Sequence, residues 1–220
     1  MDDIDGVKRS KVQAEISYDK LSKWYDFIAG GSEKKFRDLG LAKLDVKQGE
    51  TVLEVGFGTG YCLAMLARAV GEEGKVCGLD ISAGMLRKTA ARLGKSGLLG
   101  RVELQRGDAA ALPYRDGFFD AIFCSFTLEL FDTPDIPIVL RELRRVLKES
   151  GRICVVSMSR EGKPGIMTKI YDWGHKAFPN TIDCRPIHVR QAMESARFTA
   201  ADSTVESLLG LPIEIILAGK

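Results

Sequence analysis

The sequence predicts an α/β protein: a doubly wound, mostly parallel seven-stranded sheet with an antiparallel C-terminal strand, preceded by N-terminal helices. Three observations carry that expectation. From residue 51 onward short apolar runs alternate with amphipathic stretches, the pattern of successive βαβ units with right-handed crossovers. The first four apolar runs close on glycines or on single polar residues, Asp80, Asp108 and Ser125 among them. The last two runs, about 198 to 206 and 212 to 218, are joined only by a short link around Gly210, Leu211 and Pro212, so they form a hairpin and the final strand runs antiparallel.

The 220 residues suffice for one domain with a substantial core, and no break in composition divides them. Hydrophobic content of 45%, charged content of 28% and a net charge of +2 fit a soluble globular protein and give no basic stripe for nucleic acid. No apolar run reaches the roughly 20 residues of a membrane span, and MDDIDGVKRS lacks the apolar centre of a signal peptide, so a cytoplasmic location is expected. The five cysteines, at 62, 77, 124, 154 and 184, are odd in number, dispersed and without a CxxC pair, which disfavours both disulfides and a zinc site. The first four lie in apolar segments and read as small core residues; Cys184, in DCRP, is the one expected near the surface.

Residues 12 to 44 read as helical, with Ile16, Leu21, Trp24, Tyr25 and Ile28 on apolar spacings, a break at Gly30 and Gly31, and a second helix from about Glu33 to Lys43. Tyr18 and Tyr25, seven residues apart, share one face, either as a core stripe or as a lid over a ligand. The first strand is TVLEVG, 51 to 56. A helix from about Gly60 to Val70 follows, with Leu63, Leu66, Ala67 and Val70 inward. KVCGLD, 75 to 80, is the second strand, and Ser82 is positioned to cap a helix through Leu93 that turns Met85, Leu86, Thr89 and Leu93 inward. The third strand is RVELQRGD, 101 to 108, and FFDAIFCSF, 118 to 126, has the continuous apolar character of a central parallel strand. Pro134 and Pro137 open a helix expected to run to about Lys148, with Leu140, Leu143 and Leu147 inside and Gly151 as its stop. RICVVSM, 152 to 158, is the fifth strand; helices follow over about 164 to 177 and 188 to 196.

The chemistry concentrates at the strand ends. In an open parallel sheet a ligand sits beyond the carboxyl ends, where strand order reverses. There the chain places GFGTG with glycines at 56, 58 and 60, then Asp80, then Asp108 with Ala109, then Ser125. A glycine turn lets a ligand approach backbone, an acid twenty residues later suits a ribose diol, and Asp108 with Ala109 suits an adenine edge, so a nucleoside-type ligand is expected. The spacing G-x-G-x-G with Glu54 ahead of it departs from the dinucleotide fingerprint G-x-G-x-x-G, and no Gly-Lys-Ser/Thr makes a phosphate loop.

VLEVGFGTG, GLDIS, GDAAALPYRDGFFDAI and LKESGRICVV, in that order, resemble the successive motifs of class I S-adenosylmethionine-dependent methyltransferases. YDKLSKWYDF and the run from Asp108 to Asp120, of the form D-A-x-x-L-P-Y-x-D-x-x-F-D, are similar to the ubiquinone/menaquinone-biosynthesis group. The resemblance covers about 18 to 160, and the tail beyond departs from the quinone enzymes. It implies a Rossmann-like fold and S-adenosyl-L-methionine as cofactor, with no metal. It also implies a division of the single domain into lid helices over 1–44, a cofactor-binding core over 45–160, and substrate-side helices with the hairpin over 161–220. Gly56, Gly58 and Gly60 would border the methionine portion, with Glu54 orienting the loop or the methionine amino group. Asp80 would hold the ribose, Ile81 and Met85 would flank the adenine, and Asp108 and Ala109 would meet its edge. Ser125 and Phe126 would lie near the reactive methyl, with Tyr18 and Tyr25 closing from above.

The acceptor expected on this resemblance is a small, hydrophobic molecule, a quinone precursor or a lipid headgroup. Ile166, Met167, Ile170, Tyr171, Trp173 and Phe178 either form an apolar wall for it, which would allow a transient contact with a membrane surface, or pack as the ordinary cover over the fifth strand and its neighbours. Thiol, amine or other metabolite acceptors stand as alternatives, as does a catalytically silent cofactor-binding regulator. His175, in YDWGHKAF, is favoured as catalytic base over His188, Asp132, Glu129 and Tyr171. Acceptor identity and oligomeric state are open at this stage.

Overall fold

The structure, a computed structural model, describes residues 30–161 and 185–220. Tyr18, Tyr25, His175, Tyr171, Cys184 and the helix expected over 164 to 177 lie outside the described residues. Within them the chain runs α1 (Gly30–Leu44), β1 (Thr51–Val55), α2 (Tyr61–Ala69), β2 (Lys75–Asp80), α3 (Ala83–Lys95), β3 (Val102–Arg106), β4 (Phe119–Ser125), α4 (Ile136–Val146), β5 (Leu147–Met158), α5 (Val189–Ser195), β6 (Thr199–Leu208) and β7 (Leu211–Gly219). Short 3₁₀ turns sit at Leu99–Arg101 and Leu128–Leu130.

The seven strands form one sheet in the order β3-β2-β1-β4-β5-β7-β6. β1 to β5 pair in parallel, while β7 runs antiparallel to both β5 and β6, as the short 208 to 211 link requires. The order reverses between β1 and β4, which makes that gap the switch point. Successive residues of each buried strand serve opposite faces. Leu53, Val55, Ile122, Cys124, Ile153 and Val155 belong to the core under α4 and α5. Val52, Val76, Ala121, Phe123, Cys154 and Val156 belong to the core under α1, α2 and α3. Leu63, Leu66, Ala67 and Val70 are all buried there, so the 3.6-residue stripe seals the second face. The four described cysteines are buried thiols within these cores. No helix among the described residues is long and apolar enough to cross a membrane.

Two boundaries differ from expectation. The helix expected from Glu33 starts at Gly30, so Gly30 and Gly31 belong to its first turn. The helix expected to reach Lys148 ends at Val146, and Gly151 lies inside β5 instead of stopping a helix. Leu147 keeps helical spacing from Leu140 and Leu143 but leaves the helix at φ −76°, ψ 136° and pairs with Phe119. The last helical carbonyls, on Arg145 and Val146, are then taken by the N–H groups of Gly117 and Phe118 (3.0 and 2.7 Å). Leu147 is buried in either conformation, so its apolar character could not distinguish them.

α1 is joined to the sheet at its C-terminal end by Arg152 of β5. Its guanidinium donates to the Leu44 and Asp45 carbonyls (2.6 and 2.8 Å) and holds both oxygens of Glu50 (2.7 and 2.9 Å). With Phe36 and Leu44 buried against the strands, α1 is a layer of the domain, and Arg37 reaches from it to the strand ends.

Candidate cofactor site

A cleft opens at the switch point, lined by the ends of β1, β2, β3 and β4, by Met85 of α3 and by Arg37 of α1. Its floor is the turn after β1. Gly56 and Gly58 have φ +72° and +52°, a region that β-carbon sterics penalise, and a β-carbon built on Gly58 would meet nothing within 4 Å. The backbone at 58 is therefore bare toward the cleft. Gly60 also has positive φ but does not line the cleft; it stands at the N-cap of α2, packed against Thr89, whose hydroxyl donates to the Gly58 carbonyl at 2.8 Å.

Asp80 ends β2 facing this turn. One carboxylate oxygen accepts from the Gly58 N–H and the other from the Ser82 N–H, both at 2.9 Å. Ser82 in turn caps α3, its hydroxyl accepting from the Met85 N–H at 3.1 Å. The acid, the glycine turn and the helix start thus hold one another in register. Asp108 sits beyond β3, its carboxylate closing a local turn on the Ala110 N–H at 2.9 Å, with Ala109 and Ile81 beside it in the lining.

Glu54 occupies the centre. It is 2% exposed, and its Oε2 has no hydrogen-bond partner among the described residues. Burial pushes its carboxyl well above the usual range; Arg37 opposes that and Asp80 adds to it. An unpartnered buried carboxyl in a cleft is costly unless a donor arrives from outside the chain. β4 completes the far wall: Ser125 is buried, its carbonyl accepts from the Thr127 hydroxyl at 2.9 Å, and Phe126 holds φ +50° while its N–H donates to Val156 at 2.7 Å. A bulky residue in left-handed conformation is strained, and such strain gathers where a ring must be aimed.

Of the residues named from sequence, Glu54, Gly56, Gly58, Asp80, Ile81, Met85, Asp108, Ala109, Ser125 and Phe126 come together around this one cleft. Sequence reasoning missed Arg37, Phe57, Thr59, Leu130, Phe131 and Asp135, and it named Asp132 only as a candidate base; all seven line the same cleft. Asp132 has a buried Oδ1 with no hydrogen-bond partner among the described residues. Glu129 does not line the cleft: it is wholly buried, accepting from Ser157 Oγ (3.0 Å) and the Met158 N–H (3.2 Å), with its carboxyl pushed up to about 7 by burial. His188 is exposed at the start of α5, away from the lining.

Residues 52–151 match the family model described as "Methyltransferase domain". The demethylmenaquinone methyltransferase of Lactobacillus johnsonii is 34% identical over 163 residues, 74% of this chain and 64% of that protein. The ubiquinone/menaquinone biosynthesis C-methyltransferase UbiE of an Escherichia coli strain is 34% identical over 170 residues, 75% of this chain and 66% of that protein. The chain belongs to the class I S-adenosylmethionine-dependent methyltransferases. It spans less than two thirds of the length of these curated relatives. Among solved structures, the [4+2]-cyclase SpnF superposes with a TM-score of 0.77 at 20% identity, over 96% of this chain and 97% of that one, a likeness of fold alone.

The cleft fits the family's cofactor, S-adenosylmethionine. The orphaned oxygen of Glu54 suits an ammonium, the bare backbone at Gly58 admits close approach, and the Asp80 carboxylate, hydrogen-bonded to that turn, is of a type that accepts from a ribose diol.

Proposed function

We propose that the chain transfers a methyl group from S-adenosylmethionine to a carbon of a small, hydrophobic, quinone-precursor acceptor. The observation that carries the cofactor half is the buried Glu54 carboxyl, whose Oε2 has no hydrogen-bond partner among the described residues, beside a bare glycine turn and the Asp80 carboxylate. The relatives named for demethylmenaquinone and for ubiquinone/menaquinone C-methylation support the acceptor half.

When bound, the cofactor supplies a methyl group already activated by its sulfonium. The work left to the chain is binding, orientation and exclusion of water. In this reading residues 45–160 hold the cofactor. Glu54 takes the ammonium, Asp80 accepts from the ribose hydroxyls, and Asp108 with the Ala109 backbone meets the adenine edge between Ile81 and Met85. Phe126, fixed by its strained backbone and by the Val156 bond, presents a ring face that tolerates positive charge without the desolvation cost of another carboxylate. Leu130 and Phe131 extend an apolar wall from the same lining toward the acceptor.

The test is a transfer assay with methyl-labelled S-adenosylmethionine over quinols, phospholipids, amines and thiols. Label in the quinol fraction, bound to carbon, is expected. Label appearing only in a thiol, an amine or a headgroup would overturn the acceptor class and leave the cofactor reading standing.

A further inference from the structure

Five carboxylates line the described part of the cleft, on Glu54, Asp80, Asp108, Asp132 and Asp135, against a single cationic side chain, that of Arg37. Arg37 comes from α1, outside every motif that marks the family. Its side chain is 13% exposed and ion-paired one helical turn back with Glu33, whose own carboxyl burial pushes up while Arg37 draws it down. The guanidinium carbon stands 5.8 Å from the centre of the Phe126 ring. Phe126 directly follows β4, the neighbour of β1, so Arg37 stands at the glycine-turn end of the cleft.

The methionine end of the proposed cofactor is a zwitterion, with an ammonium and a carboxylate on adjacent atoms. A pocket offering only Glu54 would attract the first and repel the second. We infer that Arg37 is a cofactor-binding residue that takes the carboxylate of the cofactor's amino-acid end while Glu54 takes its ammonium. The planar guanidinium fork matches a carboxylate in a way a flexible ammonium does not, and the Glu33 pair fixes the direction of the fork. α1 thereby becomes part of the cofactor site, and Arg152, which ties α1 to β5, supports it from below.

This inference rests on the cofactor reading, and one pair of ligands separates the two. S-adenosylhomocysteine carries the amino-acid end; 5′-methylthioadenosine carries adenine, ribose and sulfur without it. By titration calorimetry the wild type is expected to bind S-adenosylhomocysteine more tightly than 5′-methylthioadenosine. Arg37→Met, which keeps the apolar stem, should weaken S-adenosylhomocysteine by about 10- to 100-fold, the range for a charged hydrogen-bonded contact, and leave 5′-methylthioadenosine within about twofold. Arg37→Lys should fall between. Should Arg37→Met not fold, Glu33→Gln, which loosens the fork, should show the same selective loss at smaller size. Equal weakening of both ligands, or of neither, overturns the clamp while the cofactor reading survives. A wild type that binds neither overturns both.

Discussion

Placing a methyl group on Gly58 separates ligand contact from folding, because its neighbour Gly56 offers the opposite case in the same turn. At Gly58 an added β-carbon meets nothing within 4 Å, so Gly58→Ala carries only the penalty of left-handed backbone, about 1–2 kcal/mol. At Gly56 the β-carbon would lie 2.2 Å from Thr127 Oγ1 and 2.5 Å from its Cγ2. Thr127 is β-branched and its hydroxyl is committed to the Ser125 carbonyl, so it yields poorly. Overpacking adds about 1–3 kcal/mol there, for roughly 2–5 kcal/mol in all. At about 2–4 °C per kcal/mol for a chain of this size, melting should fall by roughly 2–8 °C in Gly58→Ala and distinctly further in Gly56→Ala. Binding should follow the reverse order relative to stability. In Gly58→Ala the methyl fills space the cofactor needs, and affinity for S-adenosylhomocysteine should drop at least about tenfold, or about 1.4 kcal/mol, in a protein that still folds. Differential scanning fluorimetry gives the first quantity and calorimetry the second. Wild-type affinity in folded Gly58→Ala would refute the idea that a ligand lies against this turn.

Three further outcomes are expected. Asp80→Ala should weaken S-adenosylhomocysteine by about 1.5–3 kcal/mol per charged hydrogen bond, read by calorimetry, and should also lower the melting temperature without ligand, since the Gly58 and Ser82 N–H groups lose their acceptor. Glu129, with its folded pKa raised to about 7 from 4.5, stays protonated in the fold at pH values where the unfolded chain ionises it. Its contribution is neutral below about pH 4.5 and increasingly unfavourable up to about pH 7, so Glu129→Gln should gain stability over wild type, by up to about 3 kcal/mol, between denaturation curves at pH 4 and at pH 8. Arg152→Met should lower stability by about 2–4 kcal/mol in urea denaturation, because the Leu44 and Asp45 carbonyls and the half-buried Glu50 lose their shared donor.

The core of the site was legible because its residues are constrained locally. A glycine turn, an acid ending the next strand and a serine cap two residues on are fixed by backbone geometry within short stretches, and Gly56, Gly58, Asp80 and Ser82 could be found from spacing. Arg37 could not: a basic residue on an amphipathic helix reads as a solvated face, and only the packing of α1 on the sheet, anchored by Arg152, carries it to Glu54. Asp132 and Asp135 lie between the 3₁₀ turn after β4 and the start of α4, where no periodic pattern marks which side chains face the cleft. Gly60 shared the motif's rhythm with its two neighbours but is used to start α2. The end of α4 was not legible because Leu147 keeps the helical spacing from Leu140 and Leu143 and its apolar character suits a buried strand position as well as a helical one. The bonds from Gly117 and Phe118, more than twenty-five residues earlier, decide between them.

The central claim, that this cleft holds S-adenosylmethionine, is tested most directly by titrating the wild-type chain with S-adenosylhomocysteine in a calorimeter alongside its melting curve. A saturable one-to-one isotherm with a matching rise in melting temperature, both lost in Gly58→Ala, is the expected result. No heat and no thermal shift with S-adenosylhomocysteine would contradict it.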